Sequence, residues 1–224
     1  MLSIYYLRIS DFEAYETDLL FPRVSQETRE VVLNCKSKKV QRTKLLGEAM
    51  VRYLLWGLWG LKSQEYLIRK GEHGKPYVEG TGLSVYFNLS HSGNYIVAAF
   101  SDQEIGVDIE QVAGMRLEIA RRFFHPAEIG RLECLTEELQ RDLFFSYWSV
   151  KESYLKYTGS GLTMPLSGFE VCFTGNEIWI KKEHSRLAVS VRECLIDKDY
   201  KCFICSASNE IPQISNFRGF VNEL

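Results

Sequence analysis

Two carboxylates stand two positions apart in residues 106–110, Gly-Val-Asp-Ile-Glu. Side chains alternate between the faces of a β-strand, so Asp108 and Glu110 are expected on one face and their apolar neighbours on the other. Two acids on one face repel each other unless a positive group lies between them. An isolated pair of this kind is most often a strand edge facing water, so other segments must decide whether it has a chemical role.

A third acid lies in residues 148–153, Trp-Ser-Val-Lys-Glu-Ser, within a stretch of helical periodicity. Glu152 and Lys156 are four residues apart and share a helix face, where a solvated ion pair worth about 0.2–0.5 kcal/mol is the simple interpretation. This helix is apolar around much of its circumference, which leaves little of it free to face water. If the helix packs beside the Asp108 strand, three carboxylates converge.

Asp108, Glu110 and Glu152 would then form an oxygen-rich site for a hard divalent cation. Mg²⁺ takes one or two carboxylates and completes its octahedron with water and substrate phosphates, and Mn²⁺ is an alternative. Zinc is not expected, because no set of Cys and His residues has ligand spacing.

Phosphates need cationic and hydroxyl partners, and two turns offer them. Pro76 restricts the backbone of Lys75 in a Gly-Lys-Pro turn, so the lysine is rigidly presented. Ser90 and His91 stand beside Gly93 in a tight strand connection, where local hydrogen bonding would also explain them.

A basic cluster opens the first long predicted helix. Most of its members are expected to face water, while Arg42 or Lys44 could reach a cleft. The formal net charge of the chain is −2, which argues against a general nucleic-acid binder but allows a local basic pocket. The cluster consists of Lys36, Lys38, Lys39, Arg42 and Lys44.

The elements that must position these residues follow one order twice. The first series is a strand at 3–9, a short helix at 25–33 with Ser25 as N-cap, a long helix at 38–61, and strands at 85–89 and 95–100. The second is a strand at 105–109, short helices at 117–124 and 127–135, a long helix at 138–157, and strands at 169–173, 177–181, 187–193 and 201–206. This order predicts an α+β protein of two similar halves, 1–104 and 105–224, each an antiparallel sheet packed on a long helix, with a ligand cleft between them.

Composition sets the broad class. A hydrophobic content of 46% with 13% aromatic residues can fill a sizeable core. No run of about 18 apolar residues predicts a membrane span, and the N-terminus lacks the pattern of a signal peptide. Six cysteines without framework spacing indicate reduced thiols in a cytoplasmic protein, and the C-x-x-C at Cys202 and Cys205 lies in an apolar strand-like run.

Four of these motifs, in this order, resemble the 4′-phosphopantetheinyl transferases of the larger, pseudo-dimeric surfactin-synthetase-activating type. Residues 45–48 and 121–124 fit as well, so the similarity runs from about residue 25 to residue 165. The motifs are Gly-Lys-Pro at 74–76, Asn-Leu-Ser-His-Ser at 88–92, Gly-Val-Asp-Ile-Glu at 106–110, and Trp-Ser-Val-Lys-Glu-Ser-Tyr-Leu-Lys at 148–156.

The resemblance implies a monomer whose two halves are related by a pseudo-two-fold axis and bind coenzyme A in the cleft between them. By position, Asp108, Glu110 and Glu152 match magnesium ligands. The residues that match the coenzyme A contacts are Lys75, Pro76, Ser90, His91 and Lys156.

Two positions depart from the family pattern. Basic residues are frequent in the family where this chain has Thr28 and Val31, which affects the expected contact to the 3′-phosphate. The family commonly has Arg and then a small hydroxyl residue before Leu-Leu-Gly, whereas this chain has Thr43 and then Lys44, with Arg42 one place early. Lys44 or Arg42 is expected to substitute.

The implied reaction transfers phosphopantetheine from coenzyme A to a serine of an apo peptidyl or acyl carrier protein and releases 3′,5′-ADP. Glu152 is the candidate base, acting directly or through a water, and Lys156 would neutralise or protonate the leaving group. A carboxylate is not easily both a tight metal ligand and a strong base, so the division of these two roles stays open. Asp108 would act through the metal. The carrier is expected beside residues 112–124, where most of the apolar residues are expected to belong to the core and a minority to form an apolar patch: Met115, Leu117, Ile119, Phe123 and Phe124. An acidic carrier surface would suit Arg116, Arg121 or Arg122.

Two other classes remain open at this point. The acids could serve a magnesium-dependent phosphohydrolase or nuclease, although the absence of a basic surface counts against the nuclease. A non-catalytic nucleotide- or carrier-binding module is the third class, and three intact carboxylates argue against it.

Overall fold

A computed structural model describes residues 1–12, 17–115, 117–175 and 177–219, apart from the side chains of Thr17, Asp18 and Leu162. The helices are α1 (Thr17–Leu20), α2 (Gln26–Leu33), α3 (Lys38–Trp59), α4 (Leu117–Phe123), α5 (Pro126–Glu133) and α6 (Glu137–Thr158). The strands are β1 (Leu2–Arg8), β2 (Leu67–Lys70), β3 (Pro76–Glu79), β4 (Tyr86–Ser92), β5 (Tyr95–Ser101), β6 (Ile105–Gln111), β7 (Glu170–Thr174), β8 (Glu177–Lys182), β9 (Ser185–Arg186), β10 (Ser190–Glu193), β11 (Tyr200–Ser206) and β12 (Gln213–Asn216).

The two long helices, α3 and α6, are alike in length and ending. Each has 22 residues and is followed by a glycine with φ of 68°, Gly60 after α3 and Gly159 after α6. Glycine is the residue that adopts this left-handed conformation without a steric penalty, so both helices stop where the sequence supplies one. As predicted, the Ser25 side chain caps α2 by accepting from the Thr28 N–H at 3.2 Å.

Two sheets lie between these helices. One has the order β12-β1-β5-β4 and the other β10-β11-β6, while β2-β3 and β7-β8-β9 form smaller sheets. One apolar cluster packs α3 against the first sheet and a second surrounds α6. A third joins the sheets through β1, β5, β6 and β11. Burial of these faces supplies most of the driving force for folding.

The predicted α+β class is confirmed, and most predicted elements agree with the structure to within a few residues. The elements that were not predicted are α1, β9, the β2-β3 hairpin and β12. The strands of the β2-β3 hairpin have four residues each without alternation of apolar and polar side chains, and β12 is short and largely polar, so neither the hairpin nor β12 gives a strong strand signal. Strand β12 pairs in parallel with β1, which makes the first sheet mixed rather than purely antiparallel. The C-terminal strand β12 thus belongs to the sheet of the predicted N-terminal half. The boundary between the halves at 104/105 stays a prediction.

No helix in the described ranges has the length and apolarity needed to cross a membrane.

Candidate active site

Strands β4 and β6 lie side by side and are joined through the side chains of β4. Strand β11 pairs with one edge of β6, and the side chains of β4 satisfy N–H groups at the other edge. We call these contacts the β4–β6 ladder. The N–H of Val107 donates to Asn88 Oδ1 (2.9 Å), that of Ile109 to Ser90 Oγ (3.3 Å) and that of Gln111 to Ser92 Oγ (3.1 Å).

The ladder hydroxyls also hold the two acids of β6. Ser90 Oγ donates to Asp108 Oδ1 at 2.9 Å, and Ser92 Oγ donates to Glu110 Oε2 at 2.8 Å. Lys156 Nζ donates to Asp108 Oδ1 at 2.7 Å and to Ser90 Oγ at 2.9 Å. A positive group is expected between Asp108 and Glu110. Lys156 supplies a positive charge from α6 and bonds to buried Asp108, while Glu110 is bonded to Ser92.

Helix α6 reaches β6 because position 106 is a glycine. A Cβ at Gly106 would lie 2.1 Å from the Ser153 carbonyl oxygen and 2.3 Å from the Tyr157 nitrogen, so any other residue would push the helix away. Ser149 Oγ adds a hydrogen bond of 3.1 Å to the Asp108 carbonyl oxygen. The predicted packing of this helix beside the Asp108 strand is confirmed.

Three carboxylates share the region around the Lys156 ammonium. Burial raises the pKa of Glu152, and the negative charge of Asp108 raises it further. The pKa of Glu110 is raised for the same two reasons, in the same order. Asp108 Oδ2 is buried without a hydrogen-bond partner in the structure. Such an oxygen is costly to leave unpaired, so negative charge exceeds what the described donors compensate.

These carboxylate oxygens fit a hard cation, which would bind the unpaired Asp108 Oδ2 and offset the repulsion among the three acids. Within the described residues, no three Asp, Glu, His or Cys side chains form a preassembled metal-binding group. The assignment of Asp108, Glu110 and Glu152 as metal ligands stays a prediction.

Two adjoining cavities collect the other predicted residues. One, of ≈ 240 Å³, is lined by Lys75, Glu152 and Lys156. The other, of ≈ 300 Å³, is lined by Lys44 and His91. Pro76 and Leu89 line both cavities, so the two adjoin and together run from Glu152 and Lys156 on α6 to Lys44 on α3. We call the two cavities together the groove.

The structure separates Lys44 from Arg42. Lys44 lines the groove with His91, whereas Arg42 borders a different cavity beside Gly93. Partial desolvation and then the charges of Lys156 and Lys44 lower the pKa of His91, although its ring surface is exposed. The lowered pKa favours the neutral imidazole in this site, and a bound polyanion would raise this pKa again.

Lys75 is already engaged. Its Nζ donates to Glu104 Oε2 at 2.6 Å and to the Tyr157 carbonyl oxygen at 2.9 Å, at the C-terminal end of α6. Lys75 thereby ties the turn before β3 to α6 and to the segment that links β5 with β6. An incoming phosphate would have to compete with Glu104 for this ammonium.

The uncharged positions Thr28 and Val31 do line the groove, as the resemblance implies. Sequence reasoning missed a cation beside them. Lys70, at the end of β2, lines the same cavity and pairs with Glu27. It was missed because β2 was not predicted.

Lys151, next to Glu152, has a role that its position in the motif did not reveal. It is fully buried, 3.0 Å from the equally buried Glu128, and its Nζ donates to the carbonyl oxygens of Leu166 and Phe169 at 2.7 and 2.8 Å. Lysine is rarely buried without a partner, and the partner here lies 23 residues away in α5, so no local signal in the sequence indicated the pair. Lys151 anchors the segment after α6 and does not face the groove.

We expect Lys151→Met to destabilise the fold by roughly 3–5 kcal/mol, because it leaves the Glu128 charge buried without its partner. Adding Glu128→Gln should recover much of this loss. Urea denaturation measures both, with exposed Lys182→Met on β8 as the matched control. If Lys151→Met costs no more than Lys182→Met, the buried pair does not stabilise the fold.

The predicted carrier surface is only partly described. Arg116 lies outside the described residues. The Phe123 side chain is 38% exposed and lies 6.4 Å, centroid to centroid, from Trp148, one turn of α6 before Glu152. Arg122 lies over the Phe123 ring, while Arg121 pairs with Glu133. Phe124 is buried in the α6 cluster, as expected for most of these apolar residues.

All six cysteines are unpaired. Cys202 and Cys205 are buried, and burial raises the pKa of Cys205 to about 12, so neither thiol is poised for redox chemistry.

Two family models together match most of the chain. The model described as the 4′-phosphopantetheinyl transferase superfamily matches residues 104–205, and that of the 4′-phosphopantetheinyl transferase N-terminal region matches residues 13–103. One solved structure, a holo-[acyl-carrier-protein] synthase of Thermotoga maritima, covers 46% of this chain and 61% of its own at 14% identity and a TM-score of 0.39. That likeness is too weak to support a conclusion.

Curated relatives match over nearly the whole length. The 4′-phosphopantetheinyl transferase Gsp of Aneurinibacillus migulanus is 29% identical over 225 residues, covering 100% of this chain and 94% of the relative. Sfp of Bacillus subtilis (strain 168) is 32% identical over 199 residues, covering 88% of each chain. Ffp of Bacillus subtilis is 33% identical over 201 residues with the same coverage. The chain belongs to the 4′-phosphopantetheinyl transferase family.

Proposed function

We propose that this transferase moves the 4′-phosphopantetheine arm of coenzyme A onto a serine of an apo peptidyl or acyl carrier protein and releases adenosine 3′,5′-bisphosphate. One observation supports this most strongly: two adjoining cavities place Glu152 and Lys156, whose ammonium bonds to buried Asp108, beside cations from several elements. A pyrophosphate with a further phosphate nearby needs both parts.

In the proposed reaction, the serine oxygen attacks the phosphorus that carries the pantetheine arm. The bond from that phosphorus to the bridging oxygen breaks, and the bisphosphate leaves with this oxygen. Glu152 receives the serine proton, directly or through a water, and Lys156 neutralises or protonates the leaving phosphate. Lys44, Lys75, Ser90 and His91 hold the phosphates, and Pro76 shapes the groove between its two cavities.

Asp108, Glu110 and Glu152 would hold Mg²⁺, or Mn²⁺ in its place. The bound ion supplies Lewis-acid stabilisation to the charge that develops on the phosphate oxygens.

One cavity is lined by Lys75 and by Glu152 and Lys156, residues of both predicted halves of the same chain, which supports action as a monomer. Six unpaired thiols support a place in the cytoplasm. For the carrier, the exposed edge of Phe123 beside Trp148 and the guanidinium of Arg122 suit an acidic helical surface with an apolar contact.

A mass measurement tests the proposal. Incubation with coenzyme A, Mg²⁺ and an apo carrier domain should add the mass of one phosphopantetheine arm to the carrier, with one equivalent of adenosine 3′,5′-bisphosphate released. The control carrier has its acceptor serine replaced by alanine. Phosphate release without carrier modification would indicate a phosphohydrolase, and binding without any product would indicate a non-catalytic module.

Lys44→Ala is expected to raise the KM for coenzyme A by about tenfold, because a charge-assisted hydrogen bond to phosphate is worth ~1.5–3 kcal/mol. Arg42→Ala, two residues away on the same helix, should have a much smaller effect, since Arg42 borders another cavity. Initial rates at varied coenzyme A measure both. Equal effects of the two substitutions would show that the groove is wrongly assigned.

A further inference from the structure

The β4–β6 ladder does more than join two strands. In an ordinary sheet, the N–H groups at this edge of β6 would pair with carbonyl groups of a neighbouring strand. Here hydroxyls stand in for two of those carbonyls, at Ser90 and Ser92. Unlike a carbonyl, a hydroxyl also has a proton to donate.

Ser92 donates that proton to the Glu110 carboxylate. Its oxygen accepts the Gln111 N–H at 3.1 Å while its O–H donates to Glu110 Oε2 at 2.8 Å. The accepted N–H belongs to the residue after Glu110, so the backbone of β6 fixes the hydroxyl, and the hydroxyl fixes the carboxylate that projects from the same strand. This makes a closed local unit of one side chain and two consecutive residues.

Asp108 and Glu110 differ in how many groups hold them. Asp108 Oδ1 accepts hydrogen bonds from both Ser90 Oγ and Lys156 Nζ. For Glu110, Ser92 is the hydrogen-bond donor among the described side chains. Glu110 is also only half-buried, so surrounding packing restrains it less than it restrains Asp108.

Resting on the proposed function, we propose that Ser92 is a positioning residue that orients the Glu110 carboxylate toward the divalent cation. Hydrogen-bond partners of metal ligands fix ligand orientation, and their loss typically costs about 10–100-fold in metal affinity or activity. Ser92 is assigned no contact to coenzyme A or to the reacting phosphorus.

The test measures metal binding apart from catalysis. We expect Ser92→Ala to raise the Kd for Mn²⁺, followed by electron paramagnetic resonance in the absence of coenzyme A, by about tenfold. The Mg²⁺ concentration for half-maximal activity should rise in parallel, while the KM for coenzyme A at saturating Mg²⁺ changes little. Ser92→Thr keeps the hydroxyl and should restore both values.

A matched control exists at the end of β5. Ser101 Oγ also accepts a backbone N–H, from Gln103 at 3.1 Å, and Ser101 is fully buried, but it contacts none of the three acids of the predicted metal set. Ser101→Ala should therefore leave the Kd for Mn²⁺ unchanged. If Ser92→Ala does not fold, Ser92→Cys replaces it, since a thiol keeps a side chain of similar shape with a weaker donor.

Two failures are distinguishable. A wild-type protein that modifies the carrier and binds Mn²⁺, with a Kd that Ser92→Ala leaves unchanged, would overturn the role of Ser92 alone. A wild-type protein that binds no Mn²⁺ and modifies no carrier would overturn the proposed function together with this inference.

Discussion

Asp108→Asn is expected to lower kcat/KM for carrier modification by at least about 10²-fold, the scale seen when one preorganised electrostatic group is removed. The amide oxygen can still accept from Ser90 and Lys156, which donate to Oδ1 at 2.9 and 2.7 Å. What disappears is the negative charge and the unpartnered Oδ2, the two features that suit a cation. The variant should therefore fold normally and fail in catalysis.

Initial rates of carrier modification, followed by intact mass across a range of Mg²⁺ concentrations, measure this effect. Thermal unfolding of the same sample verifies that the fold is retained. Asp102→Asn is the matched control, because Asp102 is exposed and pairs with the N-terminal ammonium at 3.0 Å, outside the groove. Activity of Asp108→Asn at ordinary Mg²⁺ concentrations would show that the metal assignment is wrong.

Local features of this region could be predicted from the sequence, while the roles of its residues stay predictions. A glycine two residues before Asp108 belongs to a motif that can be recognised without coordinates, and the structure gives its physical reason in the close approach of Ser153 and Tyr157. The shared face of Glu152 and Lys156 follows from helical periodicity alone. Such features need no knowledge of what lies across the interface.

Features that depend on distant partners could not be predicted in the same way. Lys44 and Arg42 are both basic and close in sequence, and only the packing of α3 against the sheet decides which one lines the groove. The engagement of Lys75 by Glu104 and the burial of Lys151 against Glu128 join residues 29 and 23 positions apart. No periodicity in the sequence predicts such pairs. In each pair the lysine is bound to an acid within the protein, whereas the sequence alone would suggest that it is available to a ligand.

The roles of Ser90 and Ser92 show how the two kinds of information combine. Their alternation with Leu89 and His91 marks a strand, yet a strand with hydroxyls on one face has several explanations. The structure shows that this face contacts β6, so the same hydroxyls join the sheets and hold the acids. Coenzyme A binding through Ser90 stays a prediction beside this observed role.

Glu152→Gln is expected to lower kcat by about 10²–10⁴-fold, the usual contribution of a positioned general base, with coenzyme A binding largely kept. Glutamine preserves the size of the side chain and its place on α6 but cannot accept the serine proton. Carrier modification measured by mass gives the rate, and calorimetric titration of coenzyme A gives the affinity. Near-normal turnover would remove Glu152 from the catalytic role.

Stability gives a second, independent readout of the same substitution. Burial and then the charge of Asp108 raise the pKa of Glu152, so the folded state binds this proton more tightly than the unfolded state does. The stability linked to this proton is therefore present at low pH and is lost as the pH rises through the raised pKa. Without divalent cations, Glu152→Gln should raise the Tm at neutral pH and weaken this pH dependence.

Glu138→Gln, an exposed position in the first turn of the same helix, is the matched control and should change neither the rate nor the Tm appreciably. A loss of turnover together with a raised Tm would mean that Glu152 is kept at the expense of stability, as expected for an acid placed beside Asp108 for chemistry. A loss of turnover with a lowered Tm would instead assign Glu152 to holding α6 against the groove.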